Sequence, residues 1–100
     1  MQGNTGNTLI GRNVKVAGHR TSMRLEAPMW DAVYDIARRE RISVNELCTL
    51  VDQRREPEQS LTSAVRVAVL VYFRTASTED GHQRAGHGNG FQVLVDTIAA

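Results

Sequence analysis

The stretch from Arg20 to Glu26 limits the possible folds of this chain most. Its side chains alternate, with a two-residue period, between a set that suits a core and a polar set. That period is typical of a β-strand with one face on a core and the other exposed. The face towards the core would carry Thr21, Met23 and Leu25, and the exposed face Arg20, Ser22 and Arg24. A single strand is not stable alone, and no clear second strand of matching length lies nearby. The pattern therefore favours pairing with the same strand of another copy.

Three helices are predicted after the strand. Pro28 suits the first turn of a helix, and apolar residues then recur at three- and four-residue steps up to Ala37. Ser43 and Glu46 have the spacing of a capping box, which starts a second helix that should end near Arg55. In residues 61–74 the valines favour a strand, but the hydroxyl cap, the alanines and the length favour a third, buried helix.

The 100-residue length allows one small domain with flexible ends. Residues 1–13 are predicted to be a flexible arm, 14–75 the domain, and 76–100 a flexible linker with an apolar end from residue 91. No apolar run approaches the ~18 residues of a membrane span, and the start lacks a signal-peptide pattern, so the cytoplasm is the expected location. The single cysteine, Cys48, excludes an internal disulfide.

Positive charge is concentrated at the front of the chain. The formal net charge is +1, yet residues 1–25 hold four basic and no acidic side chains, whereas residues 26–100 hold eight basic and eleven acidic ones. A basic segment of this kind is typical either of a nucleic-acid-binding arm or of a solvated tail. If it binds DNA, the residues placed to hold the backbone are Arg12, Lys15 and His19.

The order of these elements resembles the ribbon-helix-helix family of bacterial DNA-binding proteins. The resemblance covers about residues 14–75 and rests on Ala17-Gly-His-Arg-Thr-Ser-Met-Arg-Leu-Glu26, on Trp30 and on Leu61-Thr-Ser-Ala64. It implies a mainly α fold with one short β-strand, an additional helix, and an antiparallel two-stranded ribbon shared by a homodimer. It also implies a transcriptional regulator, a repressor of genes, whose ribbon enters the major groove of double-stranded DNA. By position, Arg20, Ser22 and Arg24 would read bases.

The resemblance does not decide which residue marks the contact with a DNA phosphate. The family sets backbone amides at the start of its second helix against a DNA phosphate, which suits the positive end of any helix. Two segments match that helix, so either Ser43 or Thr62 marks the phosphate contact.

Other functions have weaker support. The apolar segment 91–100 would suit an antitoxin that binds a toxin with its C-terminal end. A small metal protein or enzyme would have to use Cys48, His82 and His87, but these lack a zinc-like spacing, and Cys48 lies on an apolar stripe that predicts a buried thiol. Trp30 is predicted to be a core residue. The sequence therefore predicts no catalytic residues, no metal and no cofactor.

Overall fold

The computed structural model describes residues 8–77, which form two strands followed by three helices. The elements are β1 (Leu9–Val16), β2 (His19–Glu26), α1 (Ala27–Glu40), α2 (Val44–Arg54) and α3 (Leu61–Ala76). The two strands pair in an antiparallel hairpin. Its turn is formed by Ala17 and Gly18, whose φ angles of 50° and 84° are both positive, as a type I′ hairpin turn requires.

The hairpin corrects the expectation of one short strand. β2 lies where the alternation predicts it, but β1 supplies its partner within the same chain, in a register from Val16 opposite His19 to Leu9 opposite Glu26. β1 escapes sequence analysis because Arg12 stands at a position where the two-residue pattern calls for an apolar residue. β1 also begins at Leu9, inside the segment that composition assigns to an arm, of which residues 1–7 lie outside the described residues.

Helix boundaries agree with the local sequence signals. α1 starts at Ala27 with Pro28 in its first turn, and it ends where Arg41 adopts a left-handed conformation with φ 61°. The capping box of α2 is present: Ser43 Oγ accepts from Glu46 N at 3.0 Å, and Glu46 Oε1 accepts from Ser43 N at 2.8 Å. Residues 61–74 lie within α3, so the helix signals outweigh the valines and that prediction is confirmed.

The core lies between the inner face of the hairpin and the three helices. Trp30 and Cys48 are 1% and 0% exposed, which confirms both as core residues. Burial raises the pKa of the Cys48 thiol to about 11, so it is protonated at neutral pH. The largest fully buried side chains come from every element except β1: Met23, Leu25, Trp30, Val33, Ile36, Val51, Val65 and Tyr72.

Polar contacts of Tyr72 and Arg66 connect α3 to the rest of the domain. The Tyr72 hydroxyl donates to Glu40 Oε2 at the end of α1, and both residues are buried. Burial, followed by this hydrogen bond, raises the pKa of Tyr72. Arg66 Nη2 lies 2.7 Å from Glu26 Oε1 at the end of β2. Within residues 8–77, no helix has the length and apolarity needed to cross a membrane.

Candidate nucleic-acid interface

The face of the hairpin that points away from the helices is exposed and basic. Alternation along both strands places every second residue there, and the register pairs Gly11 with Arg24, Asn13 with Ser22, and Lys15 with Arg20. All six residues are exposed, whereas Val14, Met23 and Leu25 on the other face are buried. We call these six residues the outer face: Gly11, Asn13, Lys15, Arg20, Ser22 and Arg24. It carries three cations and no acid.

The three residues predicted to read bases therefore lie together on the outer face. Successive outward side chains of a strand are about 6.6–6.8 Å apart, so Arg20, Ser22 and Arg24 form one row. Opposite Arg24, the neighbouring strand has Gly11. A Cβ atom at Gly11 would lie 3.5 Å from Arg24 Cγ, in ordinary contact, so glycine leaves that flank of the arginine open.

Two of the three predicted backbone-binding residues lie elsewhere. Arg12 is on the helix-facing side of β1, where its guanidinium lies 5.4 Å from the ring centroids of Trp30 and Tyr34 and donates to the Tyr34 hydroxyl. His19 is exposed beside the hairpin turn, on the opposite side of β2 from Arg20. Lys15 alone of the three joins the outer face. The sequence signal for this position is the two-residue period of Val14 and Val16, which puts Arg12 on the same, helix-facing side of β1.

The two edges of the hairpin differ. Along the outer edge of β1, side chains of α2 satisfy the backbone: Lys15 N donates to Asn45 Oδ1 at 2.9 Å, and Ala17 N donates to Thr49 Oγ1 at 3.1 Å. The outer edge of β2 pairs with no strand within residues 8–77. The roles of Asn45 and Thr49 leave no signal in the sequence, because only the tertiary fold brings α2 beside β1.

The two candidate phosphate contacts occupy different helix starts. Ser43 is the N-cap of α2, whose first turn adjoins β1 through Asn45. In α3 the cap is Ser60, whose Oγ accepts from Ser63 N at 3.1 Å, so Thr62 lies in the first turn rather than at the cap.

No group of three or more potential metal ligands is present among residues 8–77. His82 and His87, considered above as possible metal ligands, lie outside the described residues. The apolar segment 91–100 also lies outside them.

Comparison with protein families identifies the domain. The family model described as a ribbon-helix-helix domain matches residues 9–73, which is more than half of the chain. The chain belongs to the ribbon-helix-helix family. The match begins with β1 and ends within α3, so it includes the first four elements and most of α3. Comparison with curated proteins and with solved structures gives no match.

Membership of the ribbon-helix-helix family establishes the general class of function. Proteins with this domain are DNA-binding regulators of transcription that generally dimerise, and their β-ribbon contacts the major groove. In this chain the outer face of the β-hairpin is a basic surface.

Proposed function

We propose that this protein is a homodimeric transcriptional repressor that binds double-stranded DNA sequence-specifically and reads bases with Arg20, Ser22 and Arg24. The observation that carries the proposal is the outer face, on which cations and small polar residues lie together without an acid. We place its action in the cytoplasm.

The chemistry of the row suits the major groove. The arginine guanidinium matches the O6 and N7 acceptors of guanine in a two-point contact, while a serine hydroxyl donates to or accepts from several bases. Arg20 and Arg24 would each select a guanine, and Ser22 between them would contact a base that lies between the two guanines. Lys15, on the neighbouring strand, would neutralise a backbone phosphate, and His19 beside the turn would contact the backbone.

The edges of the hairpin support a shared ribbon. Because α2 side chains bond the outer edge of β1, the edge available to a second copy is that of β2. Antiparallel pairing of two β2 strands would satisfy their exposed backbone groups and create a four-stranded sheet with the β2 pair at its centre. Strands lie about 4.8 Å apart and the major groove is about 12 Å wide, so the central pair fits the groove and the β1 strands lie near its walls.

Helix α3 offers a second contact between the two copies. Val67 and Leu70, three residues apart on this helix, are 50% and 57% exposed. Beside Leu70 is a groove of about 430 Å³ that Met29 and Phe73 also line. We propose that the α3 helices of the two copies cover these side chains in the dimer.

Selection of bound sites from random duplex DNA tests the proposal. A dimer with two-fold symmetry should enrich a short palindrome with guanines at symmetric positions. Enrichment of no duplex sequence would contradict the proposal.

Assembly is tested separately. Sedimentation at micromolar concentration should show a dimer or a larger even oligomer, and Leu70→Glu should shift the equilibrium towards monomer. A protein that binds the palindrome as a monomer would rule out the shared ribbon while keeping the outer face as the reader.

The other functions receive no support from the described residues. An antitoxin would use segment 91–100, and a metal protein would use His82 and His87, all of which lie outside residues 8–77. Cys48, the other residue of the metal or enzyme alternative, is buried and protonated, as expected of a structural thiol.

A further inference from the structure

We propose that Gly11 is a specificity-determining position, because the side chain that it lacks leaves open the space in which Arg24 turns onto its base. The inference rests on the proposed DNA-binding function and adds to it a residue of β1 that contacts no base itself. Gly11 acts through Arg24 and is therefore a positioning residue.

The backbone gives no reason for a glycine at position 11. Of the two glycines among residues 8–77, Gly18 in the hairpin turn has a positive φ and Gly11 does not. Gly11 lies inside β1, where glycine is unfavourable because it loses more backbone freedom on folding than any other residue. A glycine within a strand often marks a place where a ligand comes close to the backbone.

The packing gives no reason for a glycine either. A Cβ atom at Gly11 would lie 3.5 Å from Arg24 Cγ and 3.8 Å from Ser22 Oγ, which are ordinary contact distances. Apart from the chain neighbours of Gly11, these are the atoms within 4 Å among residues 8–77. Both belong to residues that we propose to read bases. The fold would therefore accept a side chain at position 11, and the residues that it would hinder are the readers.

The pairing of the strands brings position 11 close to Arg24. Lys15 N donates to Asn45 of α2 and not to β2, so Lys15 and Arg20 form a non-hydrogen-bonded pair. Pair types alternate along an antiparallel ladder, so Gly11 and Arg24, four residues further along, form a pair of the same type. Side chains approach each other most closely across such pairs. A larger residue at position 11 would therefore lie directly alongside Arg24.

The two arginines of the row differ in this respect. Arg20 lies opposite the side chain of Lys15, whereas Arg24 lies opposite a residue without a side chain. In the proposed four-stranded sheet, the other flank of Arg24 is the β2 strand of the second copy. The flank over Gly11 is thus the one that leaves room for the guanidinium of Arg24.

The width of the sheet makes this room matter. Three gaps of about 4.8 Å place the two β1 strands of the proposed sheet about 14 Å apart, whereas the major groove is about 12 Å wide. Each β1 strand would therefore lie against a wall of the groove. A side chain at position 11 would occupy the narrow space between that wall and Arg24.

The substitution Gly11→Thr tests the proposal. Threonine is favoured in strands, but its branched side chain would fill the space beside Arg24. Binding of the selected duplex should weaken roughly 5- to 100-fold, the range for loss of one base contact. Discrimination should be lost at one base position in each half-site and kept at the other positions. A purely structural role of Gly11 would not produce a loss confined to one base position.

Gly11→Ala is the matched control. It removes the same backbone freedom but adds only a Cβ atom at ordinary contact distance. Its affinity should change less than about threefold, with the base preference unchanged. The Tm of Gly11→Ala without DNA should rise by roughly 2–8 °C, because the unfolded chain has fewer conformations to lose. A lower Tm would show that the fold itself needs the glycine and would overturn the inference.

The same substitution in the Arg24→Ala protein tests whether position 11 acts through Arg24. There Gly11→Thr should weaken binding by less than a further threefold or so, since the side chain that threonine obstructs is absent. Equal losses in the two backgrounds would overturn the inference. Wild-type affinity and base preference in Gly11→Thr would also overturn it, although DNA binding would stand. If the wild-type protein selects no duplex, the proposed function fails and this inference fails with it.

Discussion

Substitution of Tyr72 by phenylalanine isolates one buried hydrogen bond that connects α1 and α3. The Tyr72 hydroxyl donates to Glu40 Oε2, with 1% of Tyr72 and 4% of Glu40 exposed. Phenylalanine keeps the ring and its packing but removes the donor, so the carboxylate remains buried with one partner fewer. Nothing on the outer face is touched by this change.

The expected loss of stability follows from the burial of both partners. A hydrogen bond to a charged group contributes about 1.5–3 kcal/mol to stability. A buried acceptor that loses its donor cannot accept a hydrogen bond from water in its place. A loss of about 2 kcal/mol corresponds to a decrease of roughly 8–16 °C in the Tm of a domain of this size.

Urea unfolding at one fixed protein concentration measures the loss, with the slope m unchanged if only stability is affected. Tyr34→Phe is the control: its hydroxyl also contacts a charged side chain, that of Arg12, but Tyr34 is 36% exposed. Water can replace that contact, so the cost should be below about 1 kcal/mol. A loss below about 0.5 kcal/mol for Tyr72→Phe, or equal losses for the two variants, would refute the reasoning.

Two further predictions concern Cys48 and Lys15. Burial raises the pKa of Cys48 from 9.0 to about 11, so the unfolded chain releases the thiol proton first. This shift stabilises the folded protein by about 3 kcal/mol, a contribution that should be complete below about pH 9 and lost as the pH rises to about 11. In Cys48→Ala the free energy of unfolding should be flatter over that range, and an identical decrease in both proteins would contradict the assignment. Lys15→Ala should weaken binding of all duplexes alike and lower the salt slope by about one unit, and a change in base preference would contradict a phosphate contact.

The parts of the fold that depend on neighbouring residues were predictable from the sequence. The capping box at Ser43 and Glu46 acts within one helical turn, and Pro28 acts through its own φ angle, so both signals survive in any tertiary context. The face of β2 was equally predictable, because alternation over seven residues leaves one choice of which side chains point outward.

The partner of β2 was not predictable in the same way. Arg12 breaks the apolar alternation of β1, and it does so because Trp30 and Tyr34, eighteen or more residues away, provide aromatic surfaces for its guanidinium. Asn45 and Thr49 likewise gain their roles at the edge of β1 only when α2 packs beside it. Contacts between elements that are distant in sequence leave no periodic signal.

The measurement that tests the central claim most directly is the base preference of Arg24→Ala. Binding titrations on the selected duplex and on single mismatches should show a loss of about 1–3 kcal/mol per contact and a relaxed preference at one base position in each half-site. Arg38→Ala, which removes an exposed arginine from α1, serves as the control and should leave the base preference unchanged. An Arg24→Ala protein with wild-type affinity and base preference would exclude the outer face of β2 as the reader of DNA sequence.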